Sequence, residues 1–181
     1  MAVASAAIPF ADISEGLSQL FREHHRRVLL AAYRITGNMA DAEDVAQSVF
    51  LRLAGGNTLS PINAGSYLYR AAVNGALDLL RRRKAAALEP LELIAAEATT
   101  DPGALPDAEL SVKELRAWLR LAIAELAPRM AEMFTLRYIE EWGNREIAAS
   151  MGTSQAVVAV TLHQARARLN KRLGELEREK R

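Results

Sequence analysis

Apolar residues recur along this chain at helical spacing, and no stretch of any length alternates as a half-buried strand would. Ile13 to Thr36 carries Leu17, Leu20, Phe21, Val28, Leu29 and Ala32 at that spacing, and Gly37-Asn38 then ends the helix. Asp41 to Leu53 predicts a second helix, with Ala42, Val45, Ala46, Val49 and Leu53 on one face. Gly55-Gly56-Asn57 and Ser60-Pro61 mark a loop. Ser66 to Lys84 is a third helix whose Leu68, Ala72, Ala76 and Leu79 form an apolar face. Ser111 to Leu126, with Leu115, Trp118, Leu119 and Leu121, predicts a fourth. Pro128 starts a fifth, which runs through Met130, Met133, Phe134 and Tyr138 to Glu141 and stops at Trp142-Gly143.

Between the third and fourth helices the pattern lapses. The run LEPLELIAAEATTDPGALPDAEL holds three prolines and several acids but no base, and reads as a linker with one short apolar helix at Leu91–Ala96. The fold class is therefore all-α: two helical domains, 1–84 and 111–181, joined by a flexible acidic linker at 85–110. The charged tail Gly174–Arg181 is expected to fray.

The second domain closes with two helices around a tight turn. Ile147, Ala148 and Met151 face inward on the first, which Asn144 is placed to cap. Gly152 supplies the turn, where a left-handed backbone is easiest for glycine. Ser154 caps the second helix, and Val158, Leu162, Ala165 and Leu169 bury it. The small Ala148, the turn Gly152 and the apolar Val158 let two helices cross closely, as in a helix-turn-helix. A plain helical hairpin is the competing reading.

Composition narrows the chemistry. Half of the 181 residues are hydrophobic, enough for a real core, and the formal net charge is only +1, so what counts is where the charge sits. There is no cysteine, which excludes disulfides and cysteine-ligated zinc and fits a reducing compartment. No apolar run approaches the about 18 residues of a membrane span, and the start lacks the basic segment of a secretory signal, so a cytoplasmic protein without membrane insertion is expected. His24, His25 and His163 lack the companions of a metal site, and no catalytic motif is present. No enzyme, metal or cofactor is expected.

Two helices carry further patterns. Tyr67, Arg70, Asn74, Asp78 and Arg81 lie on one face of the third helix, which ends in the basic run Arg81, Arg82, Arg83 and Lys84. An aromatic residue with amide, guanidinium and basic groups suits a nucleic-acid backbone and unstacked bases. A solvated face with bases favourable to the helix dipole fits the same spacing. On the second helix, Asp41, Glu43 and Asp44 crowd the first turn, as capping and dipole compensation would have them. Asp44, Gln47, Ser48 and Leu51 also form a mixed face with Phe50 beside it, which could dock a basic partner helix.

In order and spacing these segments resemble a bacterial RNA polymerase sigma factor of the extracytoplasmic-function (ECF) type. DAEDVAQSVFLRL at Asp41–Leu53 is similar to that family's region 2.2, SYLYRAAVNGALDLLRRRK at Ser66–Lys84 to regions 2.3 and 2.4, and REIAASMGTSQAVVAVTLHQARARL at Arg145–Leu169 to region 4.2. The resemblance implies that Asp41, Asp44, Gln47, Phe50 and Leu51 bind core RNA polymerase. It implies that the loop 54–65 and Tyr67, Arg70, Asn74, Asp78 and Arg81–Lys84 hold the promoter −10 element, where a flipped base begins strand opening. Arg145, Ser154, Gln155, Ala159, His163 and Arg166 would meet the −35 element. An anti-sigma factor is a further implied partner. The function implied is promoter-specific transcription initiation; a sigma-like adaptor that binds polymerase or an anti-sigma factor without reading −35 DNA, and an ordinary operator-binding regulator, are the alternatives.

Two departures bear on these roles. Ala159, Val160 and Thr161 stand where the family's recognition helix is usually basic, and Gln164 takes another common arginine position. Arg145, Arg166, Arg168, Lys171 and Arg172 remain to grip phosphates. Ser48 stands where the family often has an acid; either it is a neutral variant, or its phosphorylation restores the charge.

Overall fold

In a computed structural model, residues 10–55, 64–88 and 108–179 are described, and among them the chain forms seven helices and no strand. These are α1 (Phe10–Thr36), α2 (Met39–Ala54), α3 (Ala64–Leu88), α4 (Ala108–Ala124), α5 (Pro128–Tyr138), α6 (Asn144–Ser150) and α7 (Gln155–Glu179). They group into two compact units, residues 1–72 and 73–181, with the division inside α3.

In the first unit α1 packs along α2. Gly37, at φ 70°, ends α1 with its N–H on the Tyr33 carbonyl oxygen at 2.8 Å. One residue later Asn38 starts α2, its side-chain oxygen accepting the Asp41 N–H at 3.1 Å. This short reversal brings Val28, Ala31, Ala32 and Ile35 of α1 and Ala42, Val45, Ala46 and Val49 of α2 into the buried core. Four of these eight are alanine, so the helix backbones can approach closely, while each larger aliphatic contributes about 1.5–3 kcal/mol by leaving water. The start of α3 completes the unit. A Cβ at Gly65 would stand 3.1 Å from His24 Cε1, and the Arg27 guanidinium lies 4.9 Å from the Tyr69 ring centroid.

The second unit contains the end of α3 and α4–α7. Pro128 stands in the first turn of α5, where its missing N–H costs nothing. Met130, Ala131, Met133 and Leu136 are buried, and α5 packs against α4, α6 and α7. Glu141, at φ 60°, turns the chain so that Trp142 is buried with its N–H on the Leu136 carbonyl oxygen at 2.9 Å.

The helices extend beyond several sequence boundaries. α1 begins at Phe10 rather than Ile13, α3 continues through Leu88, and α4 begins at Ala108. The expected linker thus loses 85–88 and 108–110 to helix, because Ala85–Leu88 and Ala108–Leu110 are strong helix formers. The remainder of the linker, the short helix expected at 91–96 and the loop residues 56–63 lie outside the described residues. The tail expected to fray is helical to Glu179. The apolar face of α3 runs through Leu68, Ala72, Val73, Ala76, Leu77 and Leu80; Leu79 is half-buried. Leu115, Leu119 and Leu121 of α4 are exposed, and the buried part of that helix is Ala122, Ile123 and Ala124.

Candidate polymerase and nucleic-acid interfaces

The α2 face has the composition that its spacing predicts, with two corrections. Asp44, Gln47, Ser48 and Leu51 follow one another at helical steps and all are exposed, Leu51 by 64%. Asp41 and Phe50, expected beside them as contact residues, are buried, 4% and 7% exposed. Asp41 lies in the first turn of α2, where its backbone N–H is held by the Asn38 cap. Phe50 turns toward α1, its ring centroid 4.9 Å from that of Phe21 in an edge-on contact.

That contact belongs to a groove which sequence reasoning missed. Phe21, 43% exposed, sits on α1 with the His25 ring 4.5 Å away, and together with Leu17, Gln47, Phe50 and Leu51 they line an open groove of about 750 Å³. In the sequence Phe21 is one of the apolar residues at helical spacing on α1, with nothing in that spacing to mark it as exposed. The signal available was that α1 carries more apolar turns than the shorter α2 can cover.

On α3, Tyr67 is exposed, Arg70 and Asn74 are half-buried, and Asp78, Arg82 and Arg83 are exposed. Arg81 is committed elsewhere in the second unit. Its Nε donates to the Ala124 carbonyl oxygen at 2.7 Å, its Nη2 to the Leu126 carbonyl oxygen at 3.5 Å, and its Nη1 to Asp78 at 2.6 Å. Ala124 is the last residue of α4, where a helix has oxygens without intrahelical donors, and Leu126 follows it in the turn to α5. Lys84 pairs with Glu125, which also pairs with Arg172. The basic run is therefore split: Arg81 and Lys84 hold the α4–α5 turn, while Arg82 and Arg83 project to the surface.

The closing unit forms as a helix-turn-helix. Gly152 takes φ 59°, and the Thr153 N–H reaches back to the Ala148 carbonyl oxygen at 2.9 Å. Ser154 Oγ accepts the Val157 N–H at 3.2 Å, capping α7. Ile147, Ala148, Val158, Leu162, Ala165 and Leu169 are buried, whereas Met151 is half-buried. The cap of α6 is Gly143, not Asn144, and it carries no side-chain bond; Asn144 is the first helical residue. The Arg129 Nη2 donates to the Met151 carbonyl oxygen at 3.4 Å, tying α5 to the turn.

Arg145, Gln155, Ala159, His163 and Arg166 are exposed, as contact with DNA requires, and Ser154 is exposed beside its cap bond. From Gln155 to Ala165 α7 holds no Lys, Arg, Asp or Glu. Among the described residues no group of three or more His, Cys, Asp or Glu could hold a metal ion, and no helix is long and apolar enough to cross a membrane.

The exposed face of α2 and the helix-turn-helix each lie within a stretch that matches a sigma-70 family, which sets the class of protein. Residues 20–86 match the family Sigma-70 region 2, and residues 116–169 match Sigma-70, region 4. The ECF RNA polymerase sigma factor SigM of Mycobacterium tuberculosis is 31% identical over 160 residues, covering 87% of this chain and 77% of that one. SigE of Mycolicibacterium smegmatis, also an ECF RNA polymerase sigma factor, is 32% identical over 169 residues, covering 91% of this chain and 62% of that one. SigG of M. tuberculosis, another, is 31% identical over 192 residues, covering 88% of this chain and 49% of that one. The chain belongs to the ECF family of RNA polymerase sigma factors. It spans about half to two thirds of the length of the last two relatives.

Proposed function

We propose that this chain is a sigma factor that binds core RNA polymerase, directs promoter-specific initiation and opens the −10 element. The observation that carries this reading is the presence of both sigma-70 regions on one chain, residues 20–86 and 116–169, in that order. Two modules do the work: a region-2-like one that ends with α3 and a region-4-like one that begins with α4, joined by the acidic segment 89–107. The protein itself is not an enzyme; polymerase makes the bonds. It acts in the cytoplasm without inserting in a membrane, and an anti-sigma factor that masks the free chain is a further partner.

Asp44, Gln47 and Leu51 form the polymerase-docking surface, and Asp41 and Phe50 support it from within. Their exposure supports the role, because an exposed apolar side chain with polar groups beside it is what a helical partner would bury. Tyr67, Arg70 and Asn74 offer stacking and hydrogen bonds to extruded bases, which must offset the few kcal/mol that unstacking costs. Asp78 positions Arg81, and Arg82 and Arg83 meet the backbone. Arg81 and Lys84 join them once released from the α4–α5 turn. Arg145 and Arg166 meet phosphates of the −35 duplex, and Ser154, Gln155, Ala159 and His163 lie toward its groove.

The uncharged first turns of α7 favour a second reading, a polymerase-binding adaptor that does not read −35 DNA. Reconstitution with bacterial core polymerase and a library of promoter fragments separates the two. Specific run-off transcripts support the initiation factor; tight polymerase binding with no transcript from any fragment supports the adaptor.

A further inference from the structure

The buried and exposed sides of α7 repeat the same spacing. Val158, Leu162, Ala165 and Leu169 are buried. Two residues earlier in register, Ala156, Val160, His163 and Ala167 are all exposed. At about 100° per residue, that offset of two residues places the lines about 200° apart, so the second points straight away from the unit's core. Val160, 57% exposed, is its largest aliphatic side chain.

One exposed valine is ordinary on any surface. What distinguishes this one is the arrangement of charge around it. Arg145 on α6 and Arg166 and Arg168 further along α7 are exposed, whereas the turns between Gln155 and Ala165 carry no Lys or Arg. Cations therefore flank the N-terminal turns of α7 without occupying them. That pattern fits a helix whose flanks meet phosphate walls and whose outward line meets base edges.

We propose that Val160 is a specificity-determining residue that reads a thymine 5-methyl group in the −35 element, giving this chain an A·T-directed recognition helix. An aliphatic side chain cannot satisfy the O6 and N7 acceptors of guanine, and would desolvate them without return. The thymine methyl is the one apolar group that unmodified base pairs present in the major groove. Gln164, exposed one turn beyond Val160 on the same side of α7, has the paired donor and acceptor that match adenine N6 and N7. The inference rests on the initiation-factor reading, and asks which bases its second module selects.

The test uses the full chain with core polymerase on promoters whose −35 positions are randomised. The enriched sequences should contain a thymine whose replacement by deoxyuridine lowers transcription about fourfold, the worth of one buried methyl group. Val160→Ala should lose that sensitivity, and Val160→Arg should move the preference at the same position to guanine by about tenfold. Both side chains would lie on the solvent face, so unchanged helicity and unchanged polymerase binding separate a reading defect from a folding defect. Three results would overturn the proposal: no −35 preference while transcription proceeds, equal activity on uridine and thymine, or an unaltered preference in Val160→Arg. No transcript from any promoter would overturn the initiation reading and this inference together.

Discussion

Ser154 Oγ accepts the backbone N–H of Val157 at 3.2 Å, two residues after Gly152 turns the chain at φ 59°. The bond fixes where α7 starts, and with it which side chains project from that helix. Ser154→Ala should lower the stability of the second unit by about 1 kcal/mol, the usual worth of an N-cap. Urea denaturation followed by circular dichroism measures this, and Ser154→Asp should restore the loss.

Gly152 supplies the other half of the turn. Nothing lies within 4 Å of a Cβ built there, so an added methyl meets no neighbour and the cost is conformational. Gly152→Ala should destabilise by about 1–2 kcal/mol, the penalty of a left-handed backbone for an L residue. Gly152→Asn should cost less, because asparagine tolerates that region better. Equal stability of the alanine variant and the parent in the same denaturation would remove the turn from the account.

Leu51 is the exposed apolar residue at the end of the proposed polymerase face. Leu51→Asp should leave thermal unfolding unchanged while weakening binding to core polymerase about tenfold or more, as loss of an apolar anchor does. Fluorescence anisotropy of the labelled chain titrated with core enzyme reads this directly. Phe21, across the groove from it, provides a comparison: a weaker effect from Phe21→Ser would place the partner on α2 alone.

Ser48 lies on the same exposed line, and the Arg52 Nε donates to its backbone oxygen at 3.2 Å. A phosphoryl group on Ser48 would have that guanidinium one turn away and would add charge beside Asp44. Ser48→Asp should bind core polymerase more tightly than Ser48→Ala. Equal affinity of the two variants ends the idea that Ser48 is a switch.

Arg81 holds the end of α4 through the Ala124 carbonyl oxygen at 2.7 Å. Arg81→Ala should destabilise the second unit by about 1–2 kcal/mol, within the range for charged hydrogen bonds to a helix terminus. The expected readout is a lower urea midpoint with an unchanged m-value. An unchanged midpoint would mean that the contact contributes nothing and that Arg81 is available to DNA throughout.

The helices were legible in the sequence because their apolar positions recur with the period that tertiary packing needs. The Val158, Leu162, Ala165 and Leu169 line on α7, and the turn at Gly152, came directly from that periodicity and from glycine chemistry. What was not legible depended on partners distant in sequence. Phe50 and Phe21 are 29 positions apart, and only the pairing of α1 with α2 brings both rings to one groove, with Phe50 buried and Phe21 exposed. Arg81 looks like any basic residue at a helix end until the α4 carbonyls arrive 43 residues later. Helix ends were the other weak point: Gly143 rather than Asn144 caps α6, because the choice depends on backbone angles that composition does not set.

The central claim is that this chain, with core RNA polymerase, opens a promoter. Permanganate footprinting measures it most directly, because the reagent modifies unpaired thymines. With chain and core enzyme together, thymines of the −10 element should become reactive on a promoter selected by run-off transcription, and Leu51→Asp should require about tenfold more chain to give the same signal. Reactivity no greater than with core enzyme alone, at concentrations where the chain binds it fully, would contradict the account.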